Sequence, residues 1–165
     1  MIDDKNIEIV DSHHHFWDLD KNYYPFLCDK IDPDFFLGNY EIIRQNYLPA
    51  DYEIESKNHN VIGTIHCEAE WDRNNQVGET KWIENLAKRN KFPNAIIGHA
   101  WFHTKNAEII IAEQASFNMV KSIRSKPNVK FAKNTTDYKY DGSMQDTNWR
   151  NGLKLLEKYL SLIHI

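Results

Sequence analysis

The sequence predicts an α/β fold built on a parallel sheet. Three observations carry this: four short β-branched runs, helical spacing in the segments between them, and ionisable residues gathered where each run ends. Strands that alternate with helical patterns read as βα units, and continuous apolar runs suit strands buried on both faces. In such sheets chemistry sits at the carboxyl ends of the strands.

The first run, Ile7-Glu8-Ile9-Val10, leads into Asp11-Ser12-His13-His14-His15. After it, Asp18 to Asn58 is irregular, with turn signals at Tyr24-Pro25, Asp32-Pro33 and Leu48-Pro49. It reads as a long aromatic loop before a short helix near Asp51 to Lys57. The second run, Val61-Ile62-Gly63-Thr64-Ile65, ends in His66, Glu68 and Glu70. Gly78 to Asn90 then places Trp82, Ile83, Leu86 and Ala87 on one helical face. The third run, Ala95-Ile96-Ile97-Gly98, ends in His99, Trp101 and His103. Lys105 to Phe117 follows as a helix offering Ile109, Ile110, Ala112 and Ala115, with Asn106 as its cap. The fourth run, Met119 to Ile123, ends in Arg124 and Lys126. Asp146 to Tyr159 closes the series, with Trp149, Leu153, Leu156 and Leu160 on one face. Asp146 at its start and Lys154 and Lys158 near its end suit the helix dipole.

Composition bounds the function classes. The 165 residues are 41% hydrophobic and include five Trp, eight Tyr and eight Phe, enough apolar area to exclude disorder. Lys plus Arg is 20 against 24 for Asp plus Glu, with no basic patch, which argues against a nucleic-acid partner. No apolar stretch approaches the roughly 20 residues that cross a bilayer, so no membrane partner is expected. The acidic Met1-Ile2-Asp3-Asp4-Lys5 start does not read as a secretory signal, and two cysteines, Cys28 and Cys67, suit a reducing cytoplasm.

Strand alternation projects His13 and His15 to one face and His14 to the other. Two imidazoles on one face can share a divalent metal such as zinc; the alternative is ring nitrogens tied up by backbone carbonyls. Glu68 and Glu70 share a face with His66 and could ligate metal, move a proton or bind a substrate hydroxyl, or else form a solvated rim of charge. His99 is a wall residue or a substrate contact. Arg124 can clamp a substrate carboxylate through two hydrogen bonds, or form an ion pair with Glu68 or Glu70. There is no Gly-rich phosphate cradle, Cys-x-x-Cys pair or nucleophile elbow.

At these residues the chain resembles the amidohydrolase superfamily, and within it the amidohydrolase-related branch of sugar-lactone and pyrone-dicarboxylate lactonases. The resemblance runs through Ile9-Val10-Asp11-Ser12-His13-His14-His15-Phe16-Trp17-Asp18 and His66-Cys67-Glu68-Ala69-Glu70-Trp71-Asp72. It continues in Gly78-Glu79-Thr80-Lys81-Trp82, Ile123-Arg124-Ser125-Lys126-Pro127 and Gly142-Ser143-Met144-Gln145-Asp146. It implies a (β/α)8 TIM-barrel fold and a metal-assisted hydrolase of a small, anionic lactone, ester or amide. By that similarity His13 and His15 are metal ligands, zinc being the expected ion. Glu68, Glu70, His99 and Arg124 are the substrate-binding candidates, with Arg124 meeting a carboxylate. Some lactonases of this branch work without metal, their histidines serving the substrate.

A full barrel needs about 250 residues and eight strands. Only about four βα units are readable here, and the family's later histidine ligand and water-activating aspartate have no counterpart. Leu160-Ser161-Leu162-Ile163-His164-Ile165 spells what a transposon end used in DNA library preparation encodes in one reading frame. The expectation is therefore that 1–159 is the N-terminal half of a hydrolase barrel, inactive alone, and that 160–165 is a non-native tail. The catalytic aspartate is expected beyond it. Such a half exposes strand edges and apolar surface, so either low solubility or a homo-oligomer, a dimer, is expected of the chain alone. The other readings are a decarboxylase of the same fold, a non-catalytic metal- or ligand-binding half-domain, and a doubly wound binding domain, which needs a reversal of strand order.

Overall fold

Strand follows strand in chain order through the sheet, β1-β2-β3-β4-β5. The computed structural model describes residues 7–33, 35, 38–128, 140–159 and 162–164, the last three by their backbone alone. Strand order without a reversal removes the doubly wound alternative. The strands are β1 (Glu8–His14), β2 (Asn60–Cys67), β3 (Ala95–His99), β4 (Val120–Arg124) and β5 (Leu162–His164). The helices are α1 (Pro25–Cys28), α2 (Pro49–Ser56), α3 (Gln76–Ala87), α4 (Ala107–Ala115) and α5 (Thr147–Tyr159). The chain forms two units, 1–96 and 97–165.

In the first unit β1 and β2 pair in parallel, and their register slips twice. Ile62 is an extra residue on β2 between the Ile9↔Val61 and Val10↔Gly63 pairs, and β1 carries an extra residue between Asp11↔Thr64 and His14↔His66. The two irregularities cancel, so the strand ends stay aligned although the plain alternation of β1 is broken. The second lies inside the histidine run. The aromatic loop is closed at its base by an antiparallel bridge, Trp17 and Tyr47 exchanging backbone hydrogen bonds of 3.0 Å. Arg44 ties it inward, donating from Nε to the Leu27 carbonyl at 2.7 Å and from Nη2 to Asp29 at 2.6 Å. Tyr24, Leu27 and Ala69 form a buried cluster there. The short helix starts two residues earlier than expected, because Pro49 occupies the first turn and the Asp51 carboxylate accepts the Leu48 N–H at 2.8 Å.

In the second unit Ala100, Phe102, Ile111, Ile123, Trp149 and Leu156 form the core. Helix α4 departs from its expected face. Ile109 is 69% exposed, whereas Ile111 and Gln114 are fully buried. Gln114 donates from Nε2 to the His99 carbonyl at 3.0 Å and lies over Gly98, so a polar side chain, satisfied by backbone, takes the place of an apolar one. On α5, Trp149 and Leu156 are buried as expected; Leu160 lies outside the described residues. Asp146 caps α5, accepting the Asn148 N–H at 2.9 Å and the Gly142 N–H at 2.8 Å. The short β5 pairs in parallel with β4, adding a fifth strand to the four read from the sequence.

Candidate functional site

The bulge in β1 fixes how the three histidines divide. His14 is buried and its Nε2 meets the Thr64 hydroxyl on β2 at 2.8 Å, so it belongs to the interior. His13 is exposed and His15 half-buried, and their rings stand edge to face with centroids 5.0 Å apart. The irregular register thus still leaves these two imidazoles side by side. Asp11 clamps the bulge: Oδ1 accepts the His13 backbone N–H at 3.0 Å and Oδ2 accepts the Tyr52 hydroxyl at 2.9 Å. Trp17 stacks on His15, its ring plane tilted by 18°.

His15 Nδ1 lies 2.8 Å from the Cys67 carbonyl oxygen. A carbonyl only accepts, so Nδ1 carries the proton and Nε2 keeps its lone pair, the arrangement of a metal-ligating or substrate-binding histidine. Burial pushes the His15 pKa down to about 4, so the ring is neutral near pH 7. The two imidazoles, and the tautomer of His15, fit ligands of a divalent ion. Among the described residues no group of three or more His, Cys, Asp or Glu side chains is placed to hold one.

His66 belongs to a different arrangement from the one its sequence position suggests. Fully buried, it spends both nitrogens inside the protein: Nδ1 accepts the Phe16 N–H at 3.1 Å and Nε2 donates to Glu79 Oε1 at 3.1 Å. Burial holds its pKa down at about 3. Glu68 and Glu70 lie past the end of β2, and they part company. Glu68 is buried and accepts the Glu70 N–H at 2.9 Å, whereas Glu70 sits at φ +58° and pairs with Arg73 at 2.6 Å.

Glu79 is the residue that sequence reasoning passed over. It lies on α3 among the buried Val77, Thr80 and Ile83, only 3% exposed, and its Oε1 also accepts the Ala69 N–H at 2.8 Å. A carboxylate on the apolar stripe of an amphipathic helix was the available signal.

In the second unit β3 ends at His99, so Trp101 and His103 stand in the following loop and not on the strand. The buried His99 ring meets Trp101 edge to face at 4.6 Å. Arg124 is the last residue of β4, half-buried, and its carbonyl accepts the Ala100 N–H at 3.3 Å.

No family model matches the sequence. The uncharacterized protein y4mH of Sinorhizobium fredii is 33% identical over 153 residues, 93% of this chain and 51% of that protein. Two crystal structures of an amidohydrolase (COG3618) from Burkholderia multivorans, one with bound HEPES and one with bound zinc, superpose with TM-scores of 0.63 and 0.61 at 17% identity. They are covered over 47% and 48% of their length and this chain over 94%. Amidohydrolase 2 from Bifidobacterium longum subsp. infantis superposes with a TM-score of 0.59 at 13% identity, over 97% of this chain and 51% of its own. The chain spans about half the length of the proteins it matches. Together with the βα order of its strands, this gives the chain the α/β TIM-barrel fold of the amidohydrolases over about half of that fold's extent.

Proposed function

We propose that this chain is part of a metal-assisted hydrolase that opens a lactone, ester or amide of a small anionic molecule, with His13 and His15 as ligands of a divalent ion, zinc by preference. The observation that carries the reading is the His15 Nδ1–Cys67 carbonyl bond, which leaves Nε2 available beside the His13 ring. A backbone carbonyl behind a histidine ring is the usual way a protein orients a metal ligand. One of the superposing amidohydrolases is described with bound zinc, which favours that ion. An ion held there would polarise a scissile carbonyl and make bound water acidic. The protein's own part is to hold the His15 ring neutral and fixed beside that of His13. Arg124 is proposed for the substrate's carboxylate, since a guanidinium meets that group with two parallel hydrogen bonds.

Equilibrium dialysis of the full chain against Zn²⁺ tests the reading. One ion per chain is expected, lost in His13→Ala and in His15→Ala. Full occupancy in both variants overturns the metal assignment. Product analysis on a lactone and ester panel, ring-opened acid against carbon dioxide, separates hydrolysis from decarboxylation.

A second reading rests on the same pair: two imidazoles side by side can hold a divalent ion with no catalytic group beside them. A half-domain that binds metal without turning over substrate is the alternative. Stoichiometric zinc with no ester, lactone or amide hydrolysis favours it.

A further inference from the structure

An ionised carboxylate in a protein interior is costly unless its oxygens are used. Oε1 of Glu79 is used twice, by the Ala69 N–H at 2.8 Å and the His66 Nε2–H at 3.1 Å. His66 in turn accepts the Phe16 N–H on Nδ1 at 3.1 Å. An imidazole that accepts at Nδ1 carries its proton on Nε2, and a carboxylate opposite Nε2 demands that same proton. The protons along α3, β2 and the end of β1 are therefore set by one acceptor. The residues flanking this line face one another as well: His15, next to Phe16, donates to the carbonyl of Cys67, next to His66. Residues 66–67 thus grip residues 15–16 at two adjacent points, and Glu79 anchors the grip from behind.

We propose that Glu79 is a positioning residue: through His66 it holds the Phe16 backbone and with it the His15 ring, so that His15 presents Nε2 as its acceptor. The proposal deepens the metal-ligand reading of His13 and His15 and rests on it for one of its two readouts. The other readout, the ring protons, is independent of metal.

The geometry separates the acceptor from the charge. In Glu79→Gln an amide oxygen at the Oε1 position still accepts both donors. In Glu79→Leu the acceptor is gone while the volume stays. The test is a long-range proton–nitrogen spectrum of the histidine rings in the metal-free full chain, followed by Zn²⁺ titration. Wild type should show His66 protonated on Nε2 and His15 on Nδ1. Glu79→Gln should keep that pattern. Glu79→Leu should lose the single tautomer at both rings, and Zn²⁺ affinity should fall about 10–100-fold, as when a group supporting a ligand is removed. A merely structural role for Glu79 shifts the melting temperature and leaves the ring nitrogens alone. Unchanged tautomers at His66 and His15 in folded Glu79→Leu overturn the proposal. Should that variant not fold, Glu79→Asp draws the carboxylate back by one methylene and is read the same way. If wild type binds no Zn²⁺, the metal reading falls, and the ring-nitrogen pattern alone decides the role of Glu79.

Discussion

His15 meets residue 67 through the backbone: its Nδ1–H reaches the Cys67 carbonyl oxygen at 2.8 Å, while the Cys67 side chain is wholly buried. The backbone partner makes a sharp distinction possible. Cys67→Ala removes the thiol and keeps the carbonyl, so Zn²⁺ affinity should stay within about twofold of wild type. Stability should drop by about 1 kcal/mol for the lost sulfur packing. Abolished Zn²⁺ binding in Cys67→Ala would make the thiol, and not the His15 arrangement, the source of affinity. Titration calorimetry beside a urea melt reads both quantities.

The buried histidines make the metal-free chain sensitive to acid. Burial depresses the folded-state pKa of His14 and His66 from 6.5 to about 3. Between those values each of these two rings binds a proton in the unfolded chain that it refuses in the folded one, and His15, held down at about 4, adds a third over the upper part of the range, so stability is full above pH 6.5 and is lost as the pH falls towards 3. Each proton contributes a slope of about 1.4 kcal/mol per pH unit. Over roughly two pH units the pair removes on the order of 5 kcal/mol, comparable with the whole stability of a small domain. Urea melts in EDTA should show stability falling steeply from pH 6.5 to pH 4.5. A flat profile over that range would contradict neutral burial of both rings.

The strand–helix alternation was legible because burial on both faces of a strand writes itself as a β-branched run. The adjacency of His13 and His15 was legible for a reason that only half held. Simple alternation predicts it, yet β1 carries an extra residue between Asp11 and His14. The pair stays together because Cys67 and Thr64 claim the rings of His15 and His14 individually. What stayed hidden was polar burial. Hydrophobic spacing cannot show that Gln114 occupies the inner face of α4 while Ile109 faces water, since the deciding partner is the backbone carbonyl of His99. The same holds for Glu79 and His66, whose partners are the backbone N–H groups of Ala69 and Phe16. Spacing also gave Glu68 and Glu70 a common face, which the positive φ of Glu70 undoes.

Asp11 serves two donors at once, the Tyr52 hydroxyl and the His13 N–H. Tyr52→Phe removes one and should cost about 1 kcal/mol, and Asp11→Ala removes both and should cost about 2 kcal/mol. The double variant should cost no more than Asp11→Ala, because the Tyr52 bond is already gone in it. Strictly additive losses in chemical denaturation would mean that Tyr52 stabilises the fold by a route other than Asp11.

Gly152 sits in the middle of α5, where alanine ordinarily favours a helix by about 1 kcal/mol. Here the sign should reverse. The residue is buried, and a methyl group added to it would overlap the Phe102 carbonyl and lie 2.6 Å from Phe102 Cβ. Backbone cannot swing aside as a flexible side chain can, and Phe102 is itself 1% exposed within the core that also holds Trp149 and Leu156. The helix must therefore lift from its seat, opening space around Trp149. Gly152→Ala should destabilise by about 2–4 kcal/mol, in the range of overpacked cores once the helix preference is set against it. Thermal denaturation followed by tryptophan fluorescence reads the loss and the changed surroundings of Trp149 together. A variant as stable as wild type would show that α5 does not dock on Phe102 through this glycine.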